Sequence, residues 1–414
     1  MREPQALPVK IFYGWRIVGA AGVLQMLQSG LLHSAFGAYV AVLVEERGWS
    51  KTALSGGAAL QSLESAVLGP LLGWIIDRSG AQRMVQVGVL AFGFGFIALS
   101  TIETLAGFYT AVVIIAIGAS FSGYFPLTVA VVQWFERQRA RALSAMGFGL
   151  ALGGFMVPAV AWSMNTFGWR ATAFGSGVLI MLVGLPLSLI IKSRPEDHGE
   201  TVDGVAPAPP LTSGLVPAPA ARREFTAREA LRTRAFWLLA AGHGLALLIV
   251  SAVNVHAITH MKEGLGYSVT QASLVITLMT AGQIAGVMVG YGFGDRFEKR
   301  YVAALCMLMH AAGMLLLTYA QGIAMLVAFA LVHGFAWGLR GPFMQAIRAD
   351  YFGRNAIGMI MGLSGIIIAL GQIGGPLVAG VMADLFGNYR AGFTLLAVFA
   401  GLGSLLFVLA RKPE

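Results

Sequence analysis

Charge is scarce in this chain. Asp, Glu, Lys and Arg together make up 11% of its 414 residues, against 57% hydrophobic residues. A soluble surface needs about a quarter charged residues, so the composition excludes an ordinary water-soluble globule. Cysteine is almost absent as well: Cys306 stands alone, which excludes an intramolecular disulfide and a thiolate metal site. No metal-ligand cluster and no nucleophile elbow interrupts the apolar sequence. Gly290-x-Gly292-x-Gly294 closes an apolar run instead of following a strand, so it is no phosphate loop. The expectation is a protein that is not an enzyme, carries no cofactor or metal, and is not driven by ATP.

What is abundant is apolar sequence in runs of 18 residues or more, the mark of a polytopic helical membrane protein. The runs predict twelve spans, at about 15–43, 51–76, 84–99, 108–134, 142–164, 172–191, 235–258, 269–292, 301–319, 322–348, 356–382 and 391–410. The first is too long for a signal-peptide core and is read as a retained helix. Ser50 is the expected N-cap of the second. Between the sixth and seventh spans, Pro207-Ala-Pro-Pro210 and Pro217-Ala-Pro219 suit an extended linker, followed by Arg222, Arg223, Arg228, Arg232 and Arg234. The stretch 225–231 reads as a short interfacial helix. The expected division is residues 1–192 as one six-helix half, 193–234 as a cytoplasmic linker and 235–414 as the second half.

An internal repeat supports that division. Trp134-Phe135, Gly153-Gly154 and Phe167-Gly168-Trp169-Arg170 are matched by Tyr351-Phe352, Gly374-Gly375 and Phe386-Gly387-Asn388-Tyr389-Arg390, and Asp77-Arg78 recurs as Asp295-Arg296. Two halves repeated in the same orientation form a parallel repeat about the membrane normal. The basic residues orient it. Of 28 Lys and Arg, 22 fall in the segments that are inside if both termini are cytoplasmic, Arg348 among them; five fall outside and Arg340 alone stays within a span. That is the positive-inside pattern, so the net charge of +9 speaks for topology and not for nucleic-acid binding. A multi-pass protein of the cell (plasma or inner) membrane follows, in contact with lipid and functional as a monomer.

These features resemble the major facilitator superfamily over nearly the whole chain outside the linker. Gly73-x-x-x-Asp77-Arg78-x-Gly80-x-x-Arg83 is similar to that family's signature between helices 2 and 3, with a degenerate copy at 290–300, and it departs from the usual pattern at Ala81 and Gln82. The resemblance implies a conformational lock made by Gly73, Asp77, Arg78, Arg83, Asp295 and Arg296: glycine permits close helix approach and the aspartate meets a helix N-terminus. Trp134-Phe135-Glu136-Arg137-x-Arg139-Ala140-Arg141 with Gly147, Gly149 and Gly153 looks like the helix 4–5 signature of monocarboxylate transporters and their oxalate/formate antiporter relatives. That resemblance implies transport of small organic anions. A helix-8 arginine, frequent in that group, is missing here, and Gln283 lies near mid-span instead.

Arg340 lies about 10 residues, hence roughly 15 Å, inside its span. A guanidinium there is costly and points to a site, and its fork suits a carboxylate. Glu64 is the other formal charge deep in a span; it is expected to bind the coupled proton, with His33 as a further relay, or else to stand in a fixed ion pair with Arg340 or pair with polar neighbours such as Gln61. Tyr124, Gln25, Gln28, Gln283, Asn254 and His256 are the remaining candidates for contact with substrate. The glycines of helices 5 and 11 are expected to let the two halves pack closely and rock. The expected activity is proton-coupled secondary transport of small carboxylates. The competing expectations are an efflux carrier for apolar or cationic compounds, against which Arg340 argues, and a non-transporting membrane sensor.

Overall fold

The computed structural model describes residues 12–49, 54, 68–205 and 223–414. The expectations at Glu64 and at the Ser50 cap lie outside these residues. The described chain is helical, without a strand, as a bilayer demands of backbone that has no water to bond. In order, its helices are α1 (Tyr13–Gln28), α2 (Phe36–Arg47), α3 (68–79), α4 (Ala81–Ser100), α5 (Leu105–Ser122), α6 (Tyr124–Trp134), α7 (Arg139–Leu152) and α8 (Val157–Ile190). The short α9 (Ala227–Leu231) leads to α10 (Arg234–Thr259), α11 (Val269–Phe293), α12 (Lys299–Thr318), α13 (Ile323–Phe352), α14 (Ile357–Phe386) and α15 (Arg390–Leu409). Among the described residues nine helical stretches are long and apolar enough to cross a membrane.

Local chemistry sets the helix ends. The Thr104 and Thr233 hydroxyls accept from Gly107 N (3.1 Å) and Phe236 N (3.2 Å), each satisfying one orphan donor at a helix start. Thr226/Glu229 and Ser268/Gln271 form capping boxes. Gly168 (φ 82°) breaks α8 internally and Gly387 (φ 67°) ends α14; both are the glycine of the repeated Phe-Gly pair, in a backbone region that favours glycine. The apolar run around 108–134 is not one rod. It breaks at Gly123, between α5 and α6, and the Gln28 amide donates to the Ala119 carbonyl (3.0 Å) beside the break. The first span likewise contains a π-helical turn, Ser29–Ser34, between α1 and α2.

Two cores result. One is built from residues between Ile17 and Ile191, the other from residues between Phe225 and Ala410, and Ala346, Ala349, Ile357 and Met361 of the second half join the first core. The seam between the halves is therefore tightest at the end where the linker attaches.

The glycine-rich faces of helices 5 and 11 meet the sequence expectation only in part. A Cβ at Gly149 would meet Gly22, and one at Gly153 would meet Ser29 and Gly30, all on the first span. Gly371 and Gly375 lie in the same way against Gly244 and Leu248 of α10. These glycines bring helices together inside each half. Other glycines of helix 11 do make the expected close approach between halves: a Cβ at Gly358 would meet Asp77 and Ile76, one at Gly362 would meet Gly69, and on the facing side one at Gly73 would strike the backbone of Gly358 and Met359.

Candidate substrate-binding site

The polar bridges between the halves gather at the linker end. Asp77, at the end of α3, accepts from Gly358 N (3.1 Å) and Met359 N (2.9 Å), the first turn of α14. Asp295, after α11, accepts from Ala140 N and Arg141 N (both 2.9 Å), the first turn of α7. Each aspartate thus caps a helix of the opposite half, where free N–H groups and the helix dipole favour a carboxylate. Around them, Arg139 pairs with Asp350, Lys299 reaches Asp350 (2.9 Å), and Gln133 and Arg354 exchange amide and guanidinium bonds with each other's carbonyls (2.8 and 2.6 Å). Arg78 stacks on Trp74 and Arg296 on Phe293, while Arg83 lines the crevice beside Asp77, so these three flank the lock without bridging it. Among the described residues, the polar contacts at the opposite end run within each half, as in Glu103 bonding both Arg47 (2.7 Å) and Arg170 (2.6 Å).

Between the ends lies the buried charge. Arg340, on α13, is 1% exposed, and its Nε and Nη1 have no hydrogen-bond partner among the described residues. Its charge and that of Arg348 both act on the Tyr124 hydroxyl, which stands beside Gln345 at the start of α6. Tyr124 is 36% exposed although it sits among these residues, so it borders open space between the halves. The break at Gly123 places it there.

Arg348 requires a correction. The sequence placed it in an inner segment and left Arg340 as the only cation within a span. In the structure α13 continues to Phe352, and Arg348 is 2% exposed inside it. Its guanidinium donates to Met344 O (3.1 Å) and Gln345 Oε1 (3.2 Å), and lies 3.0 Å from His243 Nδ1 of α10. Arg348 and Gln345 are the residues of this candidate site that sequence reasoning missed. The available signal was the continuous apolar run to Tyr351-Phe352, which already allowed a longer helix. Arg340 and Arg348 are thus two buried guanidiniums about 12 Å apart along one helix, the first unpartnered and the second held on three sides.

The other candidates divide. Gln25 is buried with its Nε2 unpartnered, while Gln28 is committed to Ala119. The backbone of Gln283 is the surface against which Gly334 and Gly338 of α13 pack, which brings α11 close to Arg340. His256 bonds Tyr389 Oη (3.2 Å) and Pro376 O (3.0 Å) toward the far end of α10, and Asn254 is exposed nearby. His33 lies within the π-helical turn. No metal-binding group of three or more ligands occurs among the described residues.

Fold and site together define a multi-pass α-helical membrane protein with two lobes latched at one end and a cationic centre between them. The family model described as Major Facilitator Superfamily matches residues 20–259 and 239–414, and the chain belongs to that family of cell-membrane transporters, which are not enzymes. It is 24% identical over 402 residues to Monocarboxylate transporter 13 of Bos taurus, a match covering 95% of this chain and 88% of the relative. It is also 24% identical over 363 residues to the membrane sensor protein UhpC of Escherichia coli, covering 83% and 80%. The fold is shared with the crystal structure of the human organic anion transporter MFSD10, with a TM-score of 0.68 at 17% identity over 97% of this chain and 100% of that one.

Proposed function

We propose that the protein is a secondary transporter of small organic anions of the monocarboxylate kind, coupled to protons and working by alternating access. The observation that carries this reading is Arg340: a buried guanidinium with two unpartnered edges beside the exposed Tyr124. A buried charge without a partner is strongly destabilising, and a carboxylate docking on the fork would supply the missing acceptors. Tyr124 is then a second donor to the anion, while Arg348, fixed by Gln345 and His243, adds positive potential from behind. Gln25 and Gln283 complete the polar wall, and Gln28, Asn254 and His256 act at its margins. In this reading Glu64 and His33 remain candidates for the proton.

The topology that goes with it has twelve spans in two six-helix halves, residues 1–192 and 235–414, joined by the linker 193–234, with both termini cytoplasmic. The latched end is then the cytoplasmic side, and the described conformation is the outward-facing one. Gly73, Asp77 and Asp295 release opposite helices when the cycle turns inward, with Arg78, Arg83 and Arg296 as flanking charges.

The likeness to UhpC favours a second reading, a sensor that binds an anion without moving it. The two cationic residues of the site disfavour an efflux carrier for cations. Uptake of radiolabelled carboxylates into proteoliposomes, with and without an inward proton gradient, decides among these. Accumulation driven by the gradient is expected. Binding without flux would establish the sensor, and no binding of any anion would refute the proposal.

A further inference from the structure

Two histidines used by none of the preceding chemistry meet inside the second half. His310 of α12 and His333 of α13 are both 0% exposed, with Nδ1 atoms 3.3 Å apart and ring centroids 4.5 Å apart. Both Nε2 atoms lack a hydrogen-bond partner among the described residues. Gly313 gives His333 its place, since a Cβ there would press on His333, and the Phe329 ring lies 5.6 Å away. The short contact requires one Nδ1 to donate and the other to accept, so the neutral pair holds one proton between the rings and leaves one Nε2 donor and one Nε2 acceptor unmet. Two half-satisfied imidazoles in a bilayer core would be poor packing if packing were their only role.

We propose that His310 and His333 form a single buried site for one additional proton, held more tightly when a bound anion neutralises Arg340. The inference rests on Arg340 being the anion site. His333 and Arg340 are seven residues apart on α13, so they lie on nearly the same helix face, about 10 Å apart along the axis. The groups around the pair are few. Cys306 lies one turn from His310 on α12, and Arg340 follows on α13. His243 of α10 is engaged by Arg348, α11 carries no formal charge, and α15 carries only Arg390, at its first residue. Among the described residues Arg340 is therefore the formal charge that acts on the pair. Two unit charges about 10 Å apart at an effective dielectric of about 20 change each other's binding by roughly tenfold. A carboxylate on Arg340 removes that repulsion, and by linkage the proton on the pair favours the anion by the same factor. The proton binds a lone pair and is later released, with no other bond made or broken.

Histidine nitrogen NMR on the full-length protein in lipid nanodiscs tests this without knowledge of the substrate. Arg340→Gln removes the charge as an anion would, and Arg340→Lys keeps it. The pair is expected to take up one proton in a single step whose midpoint lies about one pH unit higher in Arg340→Gln than in Arg340→Lys. In His310→Gln the shared step disappears and His333 responds alone. A midpoint that is the same in the two Arg340 variants, or two independent steps in the otherwise intact protein, would overturn the proposal. Wild-type protein titrated with and without pyruvate and acetate adds a separate reading. A rise in the midpoint supports the coupling. An absence of any rise while Arg340→Gln still shifts it removes the anion assignment and leaves the proton site standing.

Discussion

The latched end and the membrane centre handle polar groups in opposite ways. At the latch, Asp77, Asp295, Asp350, Gln133 and Arg354 each meet a partner from the opposite half. At the centre, Arg340, Gln25, His310 and His333 keep atoms with no partner among the described residues. Satisfied polar groups that can be broken and remade at a wet interface suit a conformational latch. Unsatisfied ones in a dry interior suit a ligand that arrives from outside. In the proposed reading the latched end gates and the centre binds.

The largest expected effect separates the two regions directly. Arg340→Gln should lower carboxylate uptake by about 30- to 4,000-fold, the range for removing one partner of a buried charged contact. Arg139→Gln, at the latch, should leave affinity within a few-fold of wild type while changing turnover. Equal losses in the two variants, measured as initial rates over a range of substrate concentration, would erase the distinction.

Next come the glycines. Gly375→Leu forces a side chain into the packing of α14 on α10 and should destabilise the folded protein by about 1–3 kcal/mol, read as a lower Tm in detergent. Gly73→Leu instead separates the halves at the latch. It should leave Tm nearly unchanged and raise the labelling rate of a cysteine placed at the inner end of α14. A large fall in Tm for Gly73→Leu would mean that the halves form one inseparable core.

The paired aspartates allow a finer test. Asp77→Asn and Asp295→Asn each weaken one helix cap, worth about 0.3–1 kcal/mol. Each should shift the population toward the inward-open form by a factor of about two to five, and the double variant should show roughly the product. Distances between spin labels across the latch report this, and a double variant no more open than either single one would show that only one cap matters.

How far these residues could be read from sequence depends on the distance over which the signal acts. Asp77 and Asp295 were legible because the repeat marks them twice and the partner is a helix start. Arg340 was legible because nothing else explains a cation in that run. Arg348 was misplaced because an arginine near the end of an apolar run looks the same whether the helix stops or continues. The glycines of helices 5 and 11 were correctly seen as contact residues, but one-dimensional spacing does not say which neighbour they contact. His310 and His333 are 23 residues apart on different spans, and only the packing of α12 on α13 brings them together. Gln28 could not be assigned until the break at Gly123 exposed the carbonyl it serves.

The smallest effect lies at the far end, where contacts within a half predominate. Arg47 foremost, with Arg170, holds the Glu103 carboxyl below its ordinary range. A lowered folded value means the contribution is present above the unfolded pKa of about 4.3 and fades as the pH falls through the folded value. Because Glu103 is exposed, Glu103→Gln should remove only a slight acid-side slope in Tm, and none of the slope near pH 7. A change in uptake at pH 7 would place Glu103 in the transport cycle instead.

The most direct test of the anion site compares a charged ligand with its neutral analogue on purified protein. Tm is measured for wild type and Arg340→Gln against rising concentrations of pyruvate and pyruvamide, since a ligand that binds only the folded state raises Tm by mass action. Pyruvate should raise the Tm of wild type, with no comparable rise for pyruvamide or in Arg340→Gln. An equal rise in the Arg340→Gln variant, or an equal rise with the amide, would contradict the assignment of Arg340 as the residue that recognises a carboxylate.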